Sequence, residues 1–331
     1  MENISINKLK NFIGKEVQLN GWIYNQRSIG KIWFAIIRDG TGFVQCVVTS
    51  NDVSSEVFKL ESSLTQESSI KLKGVVQEDS RSDLGVEILV KDMEVIHIAE
   101  EYPIALKEHG VSFLMDNRHL WLRSKKQYAI MKVRQNIIKS IRDFFDSRNF
   151  VLIDSPMFTG NAVEGTTTLF ETEYFNRSAY LTQSGQLYQE AGAMAFGKTY
   201  CFGPCFRAEK SKTRKHLTEF WMVEPEMAFY DLKDNMDLIE EFIVHIVTQS
   251  IKNCKEELKI LERDVSKLEK IKSPFPRLTY DEAVELLKDN GKKFEYGSDF
   301  GSPDEELIAS KFDCPVMTVS YTHLRAHETA S

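Results

Sequence analysis

Apolar and polar positions alternate in short runs over the first hundred residues, then change to three- and four-residue spacing. Segments 17–24, 32–38, 43–48, 70–76 and 86–97 are rich in β-branched and aromatic residues and read as strands. Asp39-Gly40-Thr41-Gly42 is a turn signal between the second and third, and 53–64 holds one helical stretch. Five short strands with one helix suit a five-stranded Greek-key barrel, although an SH3-like barrel or a sandwich fragment fits about as well. Residues 1–98 are thus expected to form a small β domain. A polar linker with Pro103 and Gly110 follows over 99–116.

The helical period takes over after residue 117. Ser124 is placed to cap a helix whose buried face carries Ile130, Val133, Ile137, Ile141 and Phe144. That helix ends near Arg148-Asn149, and 150–156 reads as a strand closed by Pro156. A strand at 180–182 leads into Ser184-Gly185-Gln186, which opens a short helix ending at Gly197. Leu238, Ile239, Phe242, Ile243 and Ile246 mark a long amphipathic helix with Glu240 and Glu241 outside. Residues 258–272 are charged and expected to be exposed, and 278–287 reads as a strand entering a helix. Strands and helices in separate runs give an α+β class.

Chemistry concentrates in 199–229, TYCFGPCFRAEKSKTRKHLTEFWMVEPEMAF, which reads as two strands joined by a basic loop. Gly203, Cys205, Arg207 and Glu209 share one strand face, as do Phe220, Met222, Glu224, Glu226 and Ala228. Trp221, Val223, Met227 and Phe229 form the opposite face, which suits a core. A guanidinium fork with Lys210, Lys212, Arg214, Lys215 and His216 nearby suits phosphate oxygens. Carboxylates alongside suit an ammonium or an amide. A hairpin with a solvated basic tip and a salt-bridged face is the plainer alternative.

Composition narrows the setting. A net charge of −7 over 331 residues disfavours bulk nucleic-acid binding, so any RNA contact falls to local basic patches. Five cysteines without paired metal-ligand spacing fit a reducing cytoplasm. Cys201 and Cys205 are assigned to packing, and no metal site is read. No segment suits a secretory leader or a membrane span, which places the chain in the cytosol.

F-R-A-E, a basic loop and R-K-H-L-T-E-F resemble motif 2 of the class II aminoacyl-tRNA synthetases. The wording of 202–229 is similar to that of bacterial asparaginyl members of subclass IIb, and the resemblance runs from about Val17 to about Thr318. It implies an N-terminal OB-fold that binds the anticodon, with Arg27, Phe34 and Gln45 matching positions that contact anticodon bases. Trp33 and Phe34 alternate on one strand, so only one can face outward, and Phe34 as barrel core is the alternative. Asn117-Arg118-His119-Leu120-Trp121-Leu122-Arg123 resembles the subclass IIb entry. The helix and the strand ending in Pro156 resemble motif 1, which implies a homodimer. The resemblance gives 117–318 as an antiparallel catalytic sheet flanked by helices.

It also implies the reaction: ATP-dependent activation of asparagine and transfer to tRNA(Asn), with Mg2+ as cofactor. Arg207 would bind the α-phosphate, Arg214 or His216 the γ-phosphate end, and Phe220 would stack on adenine while Glu209 accepts from its amine. In the Gly- and Thr-rich stretch 159–173, Glu164 matches the acid that holds the substrate ammonium. Ser184 and Gln186 match amino-acid contacts, and Glu224 is read as the acceptor for the side-chain amide. Aspartyl enzymes carry a lysine where this chain has Gln189, which disfavours aspartate. An amidating paralogue and a non-catalytic RNA-binding fragment are the further alternatives. The expected metal-binding acids and the Gly-rich motif 3 are absent, so the chain is expected to be inactive alone. Residues 319–331 match nothing in the family and are expected to be an artefact.

Overall fold

The computed structural model describes residues 3–82, 84–105, 107–160, 169–210 and 217–318. By its internal contacts the chain divides into two compact units, Met1–Trp121 and Leu122–Ser331.

In the first unit β1 (Glu16–Ile29), β2 (Ile32–Arg38), β3 (Phe43–Thr49), β4 (Ser69–Glu78) and β5 (Val86–His97) close into a barrel in the order β1-β2-β3-β5-β4. The short helix α1 (Ser55–Lys59) lies between β3 and β4 in sequence, and the Ser54 hydroxyl accepts from Val57 N–H at 3.2 Å to cap it. This is an OB-fold, the architecture expected from the resemblance. Period-2 burial fills it: Val17, Leu19 and Ile23 on β1, Trp33, Ala35 and Ile37 on β2, and Val44, Cys46 and Val48 on β3 all point inward. Strand β1 outruns the apolar stretch 17–24 because a bulge lies between Ile23 and Asn25. An extra residue there reverses which side chains face inward. Gln26 then turns in to accept from the Trp33 indole at 3.0 Å, and Arg27 turns out. The helices α2 (Val111–Asp116) and α3 (Arg118–Trp121) complete the unit, so part of the 99–116 stretch is helical.

The second unit is built on α4 (Lys125–Asp146), where the Ser124 hydroxyl accepts from Gln127 N–H at 3.3 Å. Burial follows the expected face only in its later turns. Ile141, Phe144 and Phe145 are buried, but Ile130 is 37% exposed. The later turns lie against α6 (Leu232–Asn253) and the central sheet, in a cluster with Phe150, Tyr200, Phe202 and Leu238. The strand read over 150–156 is only β6 (Val151–Leu152), because the chain leaves the sheet after Ile153 N–H reaches Tyr200 O at 2.9 Å. Next come β7 (Phe158–Thr159), β8 (Glu171–Tyr174) and β9 (Arg177–Leu181), a second sheet ordered β7-β9-β8. Helix α5 (Gln186–Phe196) stops at Gly197, whose φ of 79° ends it without Cβ strain.

The central sheet has the order β11-β10-β6, with β10 (Lys198–Phe206) antiparallel to β11 (Glu219–Met227). After α6 come α7 (Lys255–Ile260), α8 (Val265–Glu269), β12 (Arg277–Leu278), α9 (Tyr280–Asp289), α10 (Ser302–Ala309) and β13 (Met317–Thr318). Two expectations change here. Glu240 is not outside: it is 8% exposed, accepting from Phe275 N–H at 3.0 Å with Arg277 beside it. The 258–272 stretch is not wholly exposed either, since Leu258 is buried. Among the described residues no helix is long and apolar enough to cross a membrane.

Candidate functional site

Pairing between β10 and β11 sets Cys201 opposite Glu224, Gly203 opposite Met222 and Cys205 opposite Phe220. Directly opposed residues share a face. Arg207 N–H extends the ladder by donating to Thr218 O at 3.0 Å, which keeps Arg207 on the face of Cys205 and Phe220. Tyr200, Phe202, Val223 and Met227 supply the other face and pack in the core. Arg207 and Phe220 are half-buried, and Glu209 is exposed where the chain leaves the sheet. Glu164, Arg214 and His216 lie outside the described residues.

Glu224 is held more closely than the sequence suggests. Its Oε1 accepts from the Ser184 hydroxyl, and its Oε2 accepts from Gly185 N–H at 2.9 Å. Cys201 Sγ is 3.4 Å and Cys205 Sγ 3.9 Å from the same Oε2. Ser184 is itself fixed, because its oxygen accepts from Gln186 N–H at 3.0 Å at the start of α5. The half-buried Gln186 donates to Glu190 at 3.0 Å, one turn along the helix. Gly185 permits this closeness: a Cβ there would lie 2.6 Å from Cys201 Sγ and 2.7 Å from Ser155 Oγ. Gln189 is fully buried beneath, donating to Ile153 O at 2.6 Å and Ser155 Oγ at 3.2 Å.

Beside Glu224 is a cavity of about 250 Å3, bordered by Asp154, Ser155, Gly185, Cys201 and Cys205. Burial, and then the charge of Glu224, push the Cys201 thiol up to about 12. The same two causes push Cys205 up to about 11, against a smaller opposing pull from Arg207. Both sulfurs therefore stay protonated at neutral pH and act as donors. From the sequence alone both suit packing. Their role depends on strand register, which the composition of 199–229 does not specify. Gly185 and Ser155 escaped for the same reason.

On the barrel Trp33 is fully buried and Phe34 faces outward, which removes the reading of Phe34 as core. Arg27 is opposite Phe34, with its guanidinium 5.1 Å from the ring centroid. Gln45 is half-buried on β3 and donates to Glu87 at 3.0 Å. An exposed cation over an outward aromatic, with an amide nearby, can engage unpaired bases.

The family model described as tRNA synthetases class II (D, K and N) matches residues 110–322, and that of the OB-fold nucleic acid binding domain matches 17–96. The chain belongs to the class II tRNA synthetases. It is 54% identical to the asparagine–tRNA ligase of Desulforamulus reducens over 98% of its own length and 76% of that protein's. Among solved structures, it is similar to the asparaginyl-tRNA synthetase of Pyrococcus horikoshii complexed with asparaginyl-adenylate. That match has a TM-score of 0.91 at 38% identity and covers 98% of this chain and 76% of that one. Aspartyl-tRNA synthetase from Entamoeba histolytica is more distant, with a TM-score of 0.75 at 26% identity, covering 94% of this chain and 68% of that one. The β10–β11 face and the Ser184–Gln186 turn thus lie in the part that the synthetase model matches, and Arg27, Phe34 and Gln45 in the part that the OB-fold model matches.

Proposed function

We propose that this chain is an asparagine–tRNA ligase, which activates asparagine with ATP and transfers it to tRNA(Asn). The carrying observation is the 54% identity to an asparagine–tRNA ligase across nearly the whole chain. In the first step the asparagine carboxylate attacks the α-phosphate of ATP. A new P–O bond forms and the bond to pyrophosphate breaks. In the second, a ribose hydroxyl of the terminal tRNA adenosine takes the acyl group and AMP leaves. Catalysis of this kind rests on positioning and on charge placed where it develops.

Arg207 suits the α-phosphate, since its guanidinium stands on the face that also carries Phe220 and Glu224. Phe220 offers a ring for adenine and Glu209 an acceptor for its amine, with Arg214 and His216 assigned to the γ-phosphate end. Ser184, Gln186 and Glu164 are assigned to the amino acid. Glu224 reads the side chain: an amide offers N–H donors to a carboxylate, whereas aspartate offers only lone pairs and a like charge. The acceptor capacity for this lies on Oε1, which among the described residues takes only the Ser184 hydroxyl. Arg27, Phe34 and Gln45 are assigned to the anticodon.

ATP brings magnesium to this class of enzyme. Among the described residues no group of three His, Cys, Asp or Glu side chains is assembled that could hold a metal ion, so none is assigned to it. We place the protein in the cytoplasm as a homodimer built through α4 and the segment after it. Ile130 and Met131 are 37% and 48% exposed on α4, and Val151 is 39% exposed, which gives an apolar surface to cover.

Amino-acid-dependent ATP–pyrophosphate exchange tests the proposal, followed by charging of tRNA(Asn), both on a version extended to the full length of the asparagine–tRNA ligase relative, of which the chain spans 76%. Asparagine should drive exchange and aspartate should not. Exchange driven by aspartate would favour the aspartyl reading, and tRNA binding without exchange would favour a binding protein.

A further inference from the structure

Glu224 stands where four donors meet, and two of them are thiols that no role in the reaction uses. Cys201 and Cys205 sit on one face of β10, and both sulfurs approach the same carboxylate oxygen, Oε2, at 3.4 and 3.9 Å. Gly185 N–H takes the same oxygen at 2.9 Å, while Oε1 receives the Ser184 hydroxyl. An ionised carboxylate offers about two acceptor sites on each oxygen. Oε2 is thus crowded by donors from the protein, and Oε1 is the oxygen with a site to spare.

We propose that Cys201 and Cys205 are positioning residues for asparagine: their thiols hold Glu224 by Oε2, so that Oε1 is presented to the side-chain amide. This rests on the reading of Glu224 as the amide acceptor. Cys201 carries the larger share. Its sulfur is nearer, and the Cys205 thiol has a competing acceptor in Gly203 O at 3.9 Å. Cys201 is also opposite Glu224 across the ladder, so its reach is fixed by the strand register. Both side chains are nearly fully buried, at 3% and 2% exposure, so neither can turn away to solvent.

Protonated, weakly acidic thiols suit this task better than reactive ones. A thiolate beside a carboxylate would repel it, and burial keeps both sulfurs in the neutral form that can donate. The arrangement needs no oxidation, disulfide or metal.

The test measures pyrophosphate exchange, in the version extended to the relatives' full length, for Cys201→Ala, Cys201→Ser, Cys205→Ala and Glu224→Gln, with asparagine, aspartate and ATP varied separately. Losing one donor to a charged acceptor should raise the KM for asparagine about tenfold in Cys201→Ala. Cys205→Ala should raise it less. The KM for ATP should stay unchanged in both, and the preference for asparagine over aspartate should fall. Cys201→Ser keeps a donor and should restore most of the asparagine affinity. A thermal midpoint for each variant separates loss of fold from loss of positioning.

An unchanged KM for asparagine in Cys201→Ala overturns the proposal, as does a parallel rise in both KM values. Failure of Cys201→Ser to recover, in a variant that folds normally, overturns it too. Glu224→Gln separates the two levels of inference. If it erases the preference for asparagine while the cysteine variants do nothing, only the thiol role is wrong. If it leaves the preference intact, the reading of Glu224 itself has failed.

Discussion

Replacing Gly185 by alanine is the sharpest steric probe of the site. Its backbone sits at φ −84° and ψ −2°, which alanine adopts freely, so the penalty comes entirely from the added methyl. That methyl would stand 2.6 Å from Cys201 Sγ, 2.7 Å from Ser155 Oγ and 3.3 Å from Glu224 Oε2. Carbon and heavy-atom neighbours settle at about 3.5–4.0 Å, so two of these contacts need relief of about 1 Å. Neither neighbour can yield cheaply. Cys201 is 3% exposed with its thiol against Glu224, which leaves Sγ little room to turn, and Ser155 is tied to the buried Gln189. Overpacking of this kind costs about 1–3 kcal/mol of stability. The relief should also pull Glu224 from Gly185 N–H. Asparagine-dependent exchange should then fall about tenfold or more, equivalent to about 1.4 kcal/mol in the barrier. Urea denaturation gives the first quantity and exchange kinetics the second. Gly203→Ala, on the same face of β10, is the control for stability, because a Cβ there meets nothing within 4 Å. Gly185→Ala with unaltered stability and exchange would refute the packing account of the turn.

On the barrel, Phe34→Ala should weaken tRNA binding about tenfold, since stacking of one base on an aromatic is worth roughly 1–3 kcal/mol, and should leave amino-acid activation alone. Filter binding and exchange on the same preparation check both halves, and unchanged tRNA affinity in a folded barrel removes the stacking role. In the second unit, Phe275 N–H holds the Glu240 carboxyl below its usual range, with Arg277 helping and burial opposing. A depressed folded value means that this stability is present above the unfolded value, about 4.5, and is lost as pH falls through the folded one. Glu240→Gln should therefore lower stability at pH 7 and make the acid limb of a stability–pH curve shallower; a parallel curve would show that Glu240 does not titrate with folding.

Much of the architecture was legible because burial and period agree. Strand β5 and strand β2 stand at the bounds read from their β-branched runs, and Ser124 caps α4 as its hydroxyl suggested. Two-residue alternation also put Val223 and Met227 of β11 in the core, away from Glu224, but Trp221 and Phe229, read with them, are 49% and 104% exposed. Other features were hidden for identifiable reasons. The polar continuation of β1 lies beyond a bulge, which no local pattern of Asn25-Gln26-Arg27 announces. Glu240 looks solvated on a helical wheel, yet Phe275 and Arg277, more than thirty residues away, bury it. Cys201, Gly185 and Ser155 meet Glu224 only through strand register and a glycine-permitted approach. Sequence marks each as small or apolar, and only the fold makes them neighbours of a carboxylate.

On the proposed reading, Glu224 makes the site one for an amide. Pyrophosphate exchange of Glu224→Gln in the full-length version, with asparagine and with aspartate, each against the unaltered full-length protein, measures this directly. Glutamine keeps the size but brings its own NH2 and loses the charge. Asparagine-driven exchange should drop steeply, and the ratio of asparagine to aspartate should collapse with it, because a desolvated carboxylate no longer opposes aspartate. Equal losses for both amino acids, with their ratio preserved, would contradict the claim and assign Glu224 to the backbone atoms that the two substrates share.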